Sequence, residues 1–77
     1  MRVFVNAVAL EVDRGADVRA AVRTLDPELE RKVAGGSAFV TDARGIEVAA
    51  DSPLAEGSIL RVVVSARRAG EERDAHP

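Results

Sequence analysis

The chain contains no cysteine, tryptophan or tyrosine, and its aromatic content is Phe4 and Phe39 alone. Without cysteine there is no disulfide, no thiolate metal site and no thiol nucleophile. A chain of 77 residues forms at most one domain with a thin core, the size at which disulfide or metal staples are common. Two phenylalanines provide no stacking platform for single-stranded nucleic acid. Lysine is nearly absent as well: Lys32 is the single one among 11 basic residues, and the rest are arginine. With 13 acids the formal net charge is −2 and the signs are interspersed, which argues against nucleic acid as the main partner. No apolar run approaches the roughly 18 residues of a membrane helix, so no membrane partner is expected. Residues 1–12 alternate apolar and polar, with no basic start followed by a small-residue cleavage site, so a signal peptide is not expected. A cytoplasmic location fits all of these absences.

The segments that remain carry clear periodicities. Residues 2–6, Arg-Val-Phe-Val-Asn, have period two, with Val3 and Val5 on one face and Arg2, Phe4 and Asn6 on the other. Residues 8–12 repeat the pattern, with Val8, Leu10 and Val12 sharing a face. Asn6-Ala7 is the one plausible turn between them, giving a tight hairpin. Asp17 suits an N-cap, because its carboxylate can accept from the free amides of a first helical turn. Val18, Ala21, Val22 and Leu25 then follow at i, i+3, i+4 and i+7, the apolar stripe of a helix over 17–25. Asp26-Pro27 ends it and starts a second helical turn, with Leu29 and Val33 inward and Gly35 or Gly36 as the stop.

Three further strands are expected at 37–42, 46–49 and 58–65, with turns at 42–45, 51–53 and 56–57 and Leu54 plugging the core. In the last strand Leu60, Val62 and Val64 share a face, and Ile59, Arg61, Val63 and Ser65 share the other. An arginine without a partner is not buried, so the Leu60 face is the core face. The expected core is Val3, Val5, Leu10, Val12, Val18, Val22, Leu25, Leu29, Phe39, Ile46, Leu54, Leu60, Val62 and Val64. Phe39 is placed inside and its neighbour Val40 outside, because Phe39 is the larger in a chain short of aromatic mass.

No constellation of side chains points to catalysis. Gly35-Gly36 lacks the preceding strand and the following Lys-Ser/Thr of a phosphate loop, so it reads as helix termination. His76 is the only histidine and stands beside Glu71, Glu72 and Asp74 in a polar tail, which reads as solvated rather than as a metal site. Glu28, Glu30, Arg31 and Lys32 form a mixed exposed helix face. No nucleophile–base pair is available. The chain is expected to be a non-enzyme without metal or cofactor.

The order strand, strand, helix, strand, strand, strand is that of an α+β fold of the β-grasp plan, a mixed sheet with one principal helix across it. Its first and last strands would pair in parallel at the centre, as their valine content suits. The chain resembles the ubiquitin-like β-grasp family. Met-Arg-Val-Phe-Val at 1–5 is similar to the start of ubiquitin, and Leu-Glu-Val at 10–12 to the end of its second strand. The short hairpin and residues 51–58 look more like the bacterial sulfur carriers of thiamine and molybdopterin synthesis, where Leu-x-x-Gly before the last strand is matched here by Leu54 to Gly57. The resemblance covers roughly residues 1–70, with a domain over 1–66 and an arm and tail over 67–77.

Members of that family end in Gly-Gly on an arm, often after arginine. Here the match is Arg67, Arg68, Ala69 and Gly70, with alanine in place of the penultimate glycine and with seven residues after Gly70. The resemblance implies a precursor cleaved between Gly70 and Glu71, and an ATP-using E1-like enzyme that adenylates the Gly70 carboxylate. Three functions stay open. One is a modifier conjugated to target proteins, which would need an E2-like enzyme and a processing peptidase. Another is a sulfur carrier holding a thiocarboxylate. The third is a noncovalent β-grasp module in a larger assembly. Family members are usually read through the exposed sheet face, which here implies a partner-binding patch of Val40, Arg61 and Val63.

Overall fold

The computed structural model of the protein describes residues 1–65. Its first turn is Asn6–Ala7, where both residues take left-handed backbone, with φ of 52° and 69°. Two successive positive φ values give a turn whose twist matches that of a β-hairpin. Strands β1 (Arg2–Val5) and β2 (Val8–Glu11) flank it and pair antiparallel, Val5 opposite Val8 and Val3 opposite Leu10. Asparagine tolerates this backbone better than most residues. It also ties the turn to the far end of the chain, because the Val62 amide donates to Asn6 Oδ1 at 2.9 Å.

Helix α1 (Val18–Leu25) begins where the sequence places it. Asp17 stays extended and its Oδ1 accepts from the Ala20 amide at 2.9 Å. Asp26 then serves two helices. Its amide donates to Val22 O and closes α1, and its Oδ1 accepts from the Glu28 amide at 3.0 Å and opens α2 (Pro27–Ala34). Pro27 at the first position loses nothing, because that amide has no helical acceptor. The second helical segment, expected from Pro27 to a stop at Gly35 or Gly36, is an eight-residue helix as long as α1, so the fold has two helices rather than one principal one.

Strands β3 (Ala38–Asp42), β4 (Glu47–Val48) and β5 (Ile59–Val64) complete a five-stranded sheet in the order β2-β1-β5-β3-β4. β1 and β5 are parallel, and the other neighbours are antiparallel. The result is a small α+β protein with a mixed sheet. Val3, Val5, Val40 and Leu60 from the sheet meet Val18, Ala21 and Val22 of α1 in the buried core. Leu10, Val12, Leu25, Leu29, Leu54 and Val62 pack around it, partly buried.

Three expectations about the core are corrected. Val40 is 2% exposed and belongs to the core, whereas Phe39 is half-buried on the opposite face. The pairing register decides this: Phe39 stands opposite Val63 and Val40 opposite Val62, and residues directly opposite share a face. Ile46 is 54% exposed and Val64 is 47% exposed. Ile46 lies at the end of the β3–β4 turn, while the helices pack mainly on β1, β2 and β3. Val64 ends β5 beyond the last residue of β1, opposite Ala38. Both have the right phase and lie past the edge of the helical layer. Ala21 and Ala38, absent from the expected core, are buried. Small side chains there leave room for the helices to approach the sheet.

Candidate functional site

The sheet face away from the helices is the candidate site, and the strand phase sets its membership. Arg61 points outward, so Ile59 and Val63 on β5 do the same. Phe39 and Thr41 on β3 lie opposite Val63 and Arg61. Phe4 on β1 lies opposite Ile59 of β5 and Ala9 of β2. Both phenylalanines of the chain are therefore on the outer face, half-buried, with Ile59 52% exposed between the sheet centre and solvent.

A shallow groove of about 460 Å³ runs along this face, lined by Phe39, Thr41, Arg44, Arg61 and Val63 among others. Thr41 forms its floor at 5% exposure, flanked by Arg61 of β5 and Glu47 of β4. The rim is the β3–β4 turn, organised by Asp42. Asp42 Oδ1 accepts from the Arg44 amide at 2.8 Å and the Ile46 amide at 3.1 Å, and Oδ2 accepts from Arg44 Nη2 at 2.9 Å. The Arg44 guanidinium first, then the Ile46 amide, hold the Asp42 carboxyl below the usual aspartate range. Arg44 is thus neutralised locally. Arg61 and Glu47, on either side of Thr41, have no ion pair among the described residues.

The patch expected from the sequence is brought together only in part. Arg61 and Val63 line one groove; Val40, buried beneath the sheet, takes no part in it. Phe39 occupies the place assigned to Val40. Phe4 and Ile59 extend the apolar surface, and the signal for them was the phase they share with Arg2 and Arg61. The arm Arg67, Arg68, Ala69, the activation residue Gly70, the cleavage position before Glu71, and His76 lie outside the described residues. The last described residue, Ser65, donates its amide to Ser37 O at 2.7 Å, which places Ser65 beside the start of β3.

Among the described residues no group of His, Cys, Asp or Glu is placed to hold a metal ion, and no helix is long and apolar enough to cross a membrane. Chemically the face offers apolar contact and one unpaired guanidinium, the means of a recognition surface. Fold and face together define a small α+β protein with an outward sheet surface that mixes apolar and charged side chains. No family model, curated protein or solved structure matches the chain.

Proposed function

We propose that the protein is a β-grasp modifier of the ubiquitin-like kind, trimmed after Gly70, adenylated there by an E1-like enzyme and joined to target proteins through the Gly70 carboxylate. The observation that carries the proposal is the strand order β2-β1-β5-β3-β4 with β1 and β5 parallel at the centre, together with a final strand that leads directly into Arg67-Arg68-Ala69-Gly70. The domain contributes no catalytic group in this scheme. A free carboxylate is a poor electrophile at neutral pH, and transfer of AMP from ATP, with release of pyrophosphate, supplies the leaving group. Glycine at the activated position has no side chain to obstruct a narrow site. Because Gly70 is followed by Glu71, hydrolysis of that bond must come first.

The outer face serves as the docking surface, with Phe39 and Val63 in apolar contact and Arg61 facing an acidic residue of the activating enzyme. A second reading, a sulfur carrier with a thiocarboxylate at Gly70, is favoured by the two-residue hairpin and by the loop at Leu54–Gly57, where Gly57 takes φ 85° and its amide donates to Arg2 O at 2.7 Å. A noncovalent module would use the face without the arm.

The test uses the full chain and a form ending at Gly70, each incubated with ATP and an E1-like activating enzyme from the same cell. Pyrophosphate release and a covalent ester should appear with the shortened form only. Equal activation of both removes the precursor step, and activation of neither leaves the noncovalent module. Intact mass then separates the other two, since a thiocarboxylate replaces one oxygen by sulfur and a conjugate adds a whole protein.

A further inference from the structure

The two edges of the sheet are unequal. β4, on one side, is two residues long. β2, on the other, is a regular four-residue strand, Val-Ala-Leu-Glu, with no bulge, proline or lysine. Those are among the devices by which edge strands are usually blunted, and Glu11 is the one charge β2 carries. The hydrogen-bond phase of β2 is fixed at both ends. Met1 and Val12 exchange two bonds, the N-terminal amine donating to Val12 O at 2.8 Å and the Val12 amide donating to Met1 O at 2.9 Å. Val5 and Val8 flank the two-residue turn. By alternation Val8, Leu10 and Val12 turn their main chain toward β1, and Ala9 and Glu11 turn theirs away. Among the described residues nothing satisfies those outward groups, and Val8, Ala9 and Glu11 are exposed.

We infer that β2 pairs antiparallel with β2 of a second copy about a two-fold axis at Leu10. The register follows from the phase. Only Ala9 and Glu11 offer outward groups, so Ala9 of one copy must oppose either Ala9, Glu11 or the turn of the other. Setting Glu11 opposite Glu11 places like charges face to face. Setting Ala9 opposite Ala9 pushes Glu11 against the turn residue Ala7. Setting Ala9 opposite Glu11 satisfies every outward amide and carbonyl in both copies. The same register stacks Leu10 on Leu10 and covers Val8, 45% exposed, with Val12 of the other copy. Glu11 is already balanced, 3.1 Å from Arg2 Nε and 3.6 Å from the N-terminal amine, so the seam carries little net charge. The two sheets become one ten-stranded sheet whose outer faces are continuous.

The test is sedimentation and amide hydrogen exchange of the full chain across a concentration series ending at ~1 mM. The apparent mass should rise from 8.1 kDa toward twice that value, and the Ala9 and Glu11 amides should slow with concentration while those of Val8 and Leu10 do not change. Ala9→Pro deletes one outward donor without touching the β1–β2 ladder, and should weaken association about tenfold or more with the monomer still folded. Val8→Lys, at an exposed position, should do the same and stands in if the proline variant unfolds. A chain that stays monomeric throughout overturns the pairing, as does a dimer indifferent to both variants. Protection of Ala9 and Glu11 in a monomer only when an extended foreign peptide is added would assign the edge to another protein and equally overturn it.

Discussion

The inner and outer faces of the sheet come from alternate residues of the same strands, yet they are furnished differently. Val3, Val5, Val40 and Leu60 fill the inner face and are all buried. Phe4, Phe39, Ile59, Arg61 and Val63 form the outer one, where nothing among the described residues covers them completely. A fold that used its apolar mass only for stability would place its two phenylalanines where burial is greatest, since large rings lose the most accessible area. Here compact aliphatic side chains do that work, because α1 approaches through Val18, Ala21 and Val22 and leaves a thin interlayer space. The rings lie half-buried on the outer face instead. Size alone therefore misassigns faces in a thin core.

The comparison breaks most clearly at neighbouring residues of β5. Leu60→Ala should cost about 2–5 kcal/mol in urea unfolding, because it empties a buried site that the rigid sheet cannot refill. Ile59→Ala, one residue away on the outer face, should cost about 1 kcal/mol or less. Similar losses at both positions would mean that the outer face is also a structural core. On the recognition side the order reverses. Arg61→Glu should change stability by about 0.5 kcal/mol or less, yet, under the proposed function, weaken binding to the proposed E1-like enzyme by roughly 1–2 kcal/mol, about tenfold or more. Calorimetry showing unchanged affinity would remove Arg61 from the docking surface.

Much of this architecture was legible from the residues. Asp17 and Asp26 announced both caps by their chemistry, Asn6-Ala7 announced the hairpin by being the one interruption between two alternating runs, and Arg61 fixed the phase of β5. The Phe39–Val40 assignment was not legible, because a short apolar pair fits either phase and only the β3–β5 register chooses between them. Ile46 and Val64 carry the correct phase, but exposure there depends on where the helical layer stops, which no local pattern records. Of the candidate site, Arg61 and Val63 were legible from alternation alone. Phe39 became visible only through its cross-strand partner. The open edge at β2 depends on hydrogen-bond phase rather than on side-chain type, so composition is silent about it.

Which face is which depends on register, since a slip of one residue exchanges them throughout a strand. Two turns hold it. At the first, Asn6→Ala loses the acceptor for the Val62 amide and places a residue less tolerant of φ 52° there; the expected cost is about 1–2 kcal/mol. Ala7 shows the opposite sign. It is a non-glycine residue at φ 69°, so Ala7→Gly should raise stability by about 0.5–1 kcal/mol, the relief of backbone strain exceeding the added flexibility of the unfolded chain. A thermal scan in which Ala7→Gly melts below the parent would contradict the left-handed turn and with it the register of β2.

The second turn offers the smallest effect and the sharpest sign. Asp42 fastens the β3–β4 turn through the Arg44 guanidinium and the Arg44 and Ile46 amides, and these interactions lower its pKa on folding from an ordinary value of 3.8. A carboxyl whose pKa is lower when folded binds its proton more readily in the unfolded chain. Its contribution to stability is therefore complete above the unfolded pKa and is lost as pH falls through the folded one. Asp42→Asn keeps an acceptor for the turn amides but removes the charge opposite Arg44. The variant should melt below the parent at about pH 7, and the gap should narrow as the pH falls through the folded pKa, where the parent takes up a proton and loses its charge at this position. High salt should shrink the neutral-pH gap too, since the pair is open to solvent. A gap that stays constant with pH would show that the turn rests on the amide hydrogen bonds alone. The rim of the outer groove would then owe nothing to the carboxylate charge, and Arg44 would join Arg61 as a second cation available to a partner.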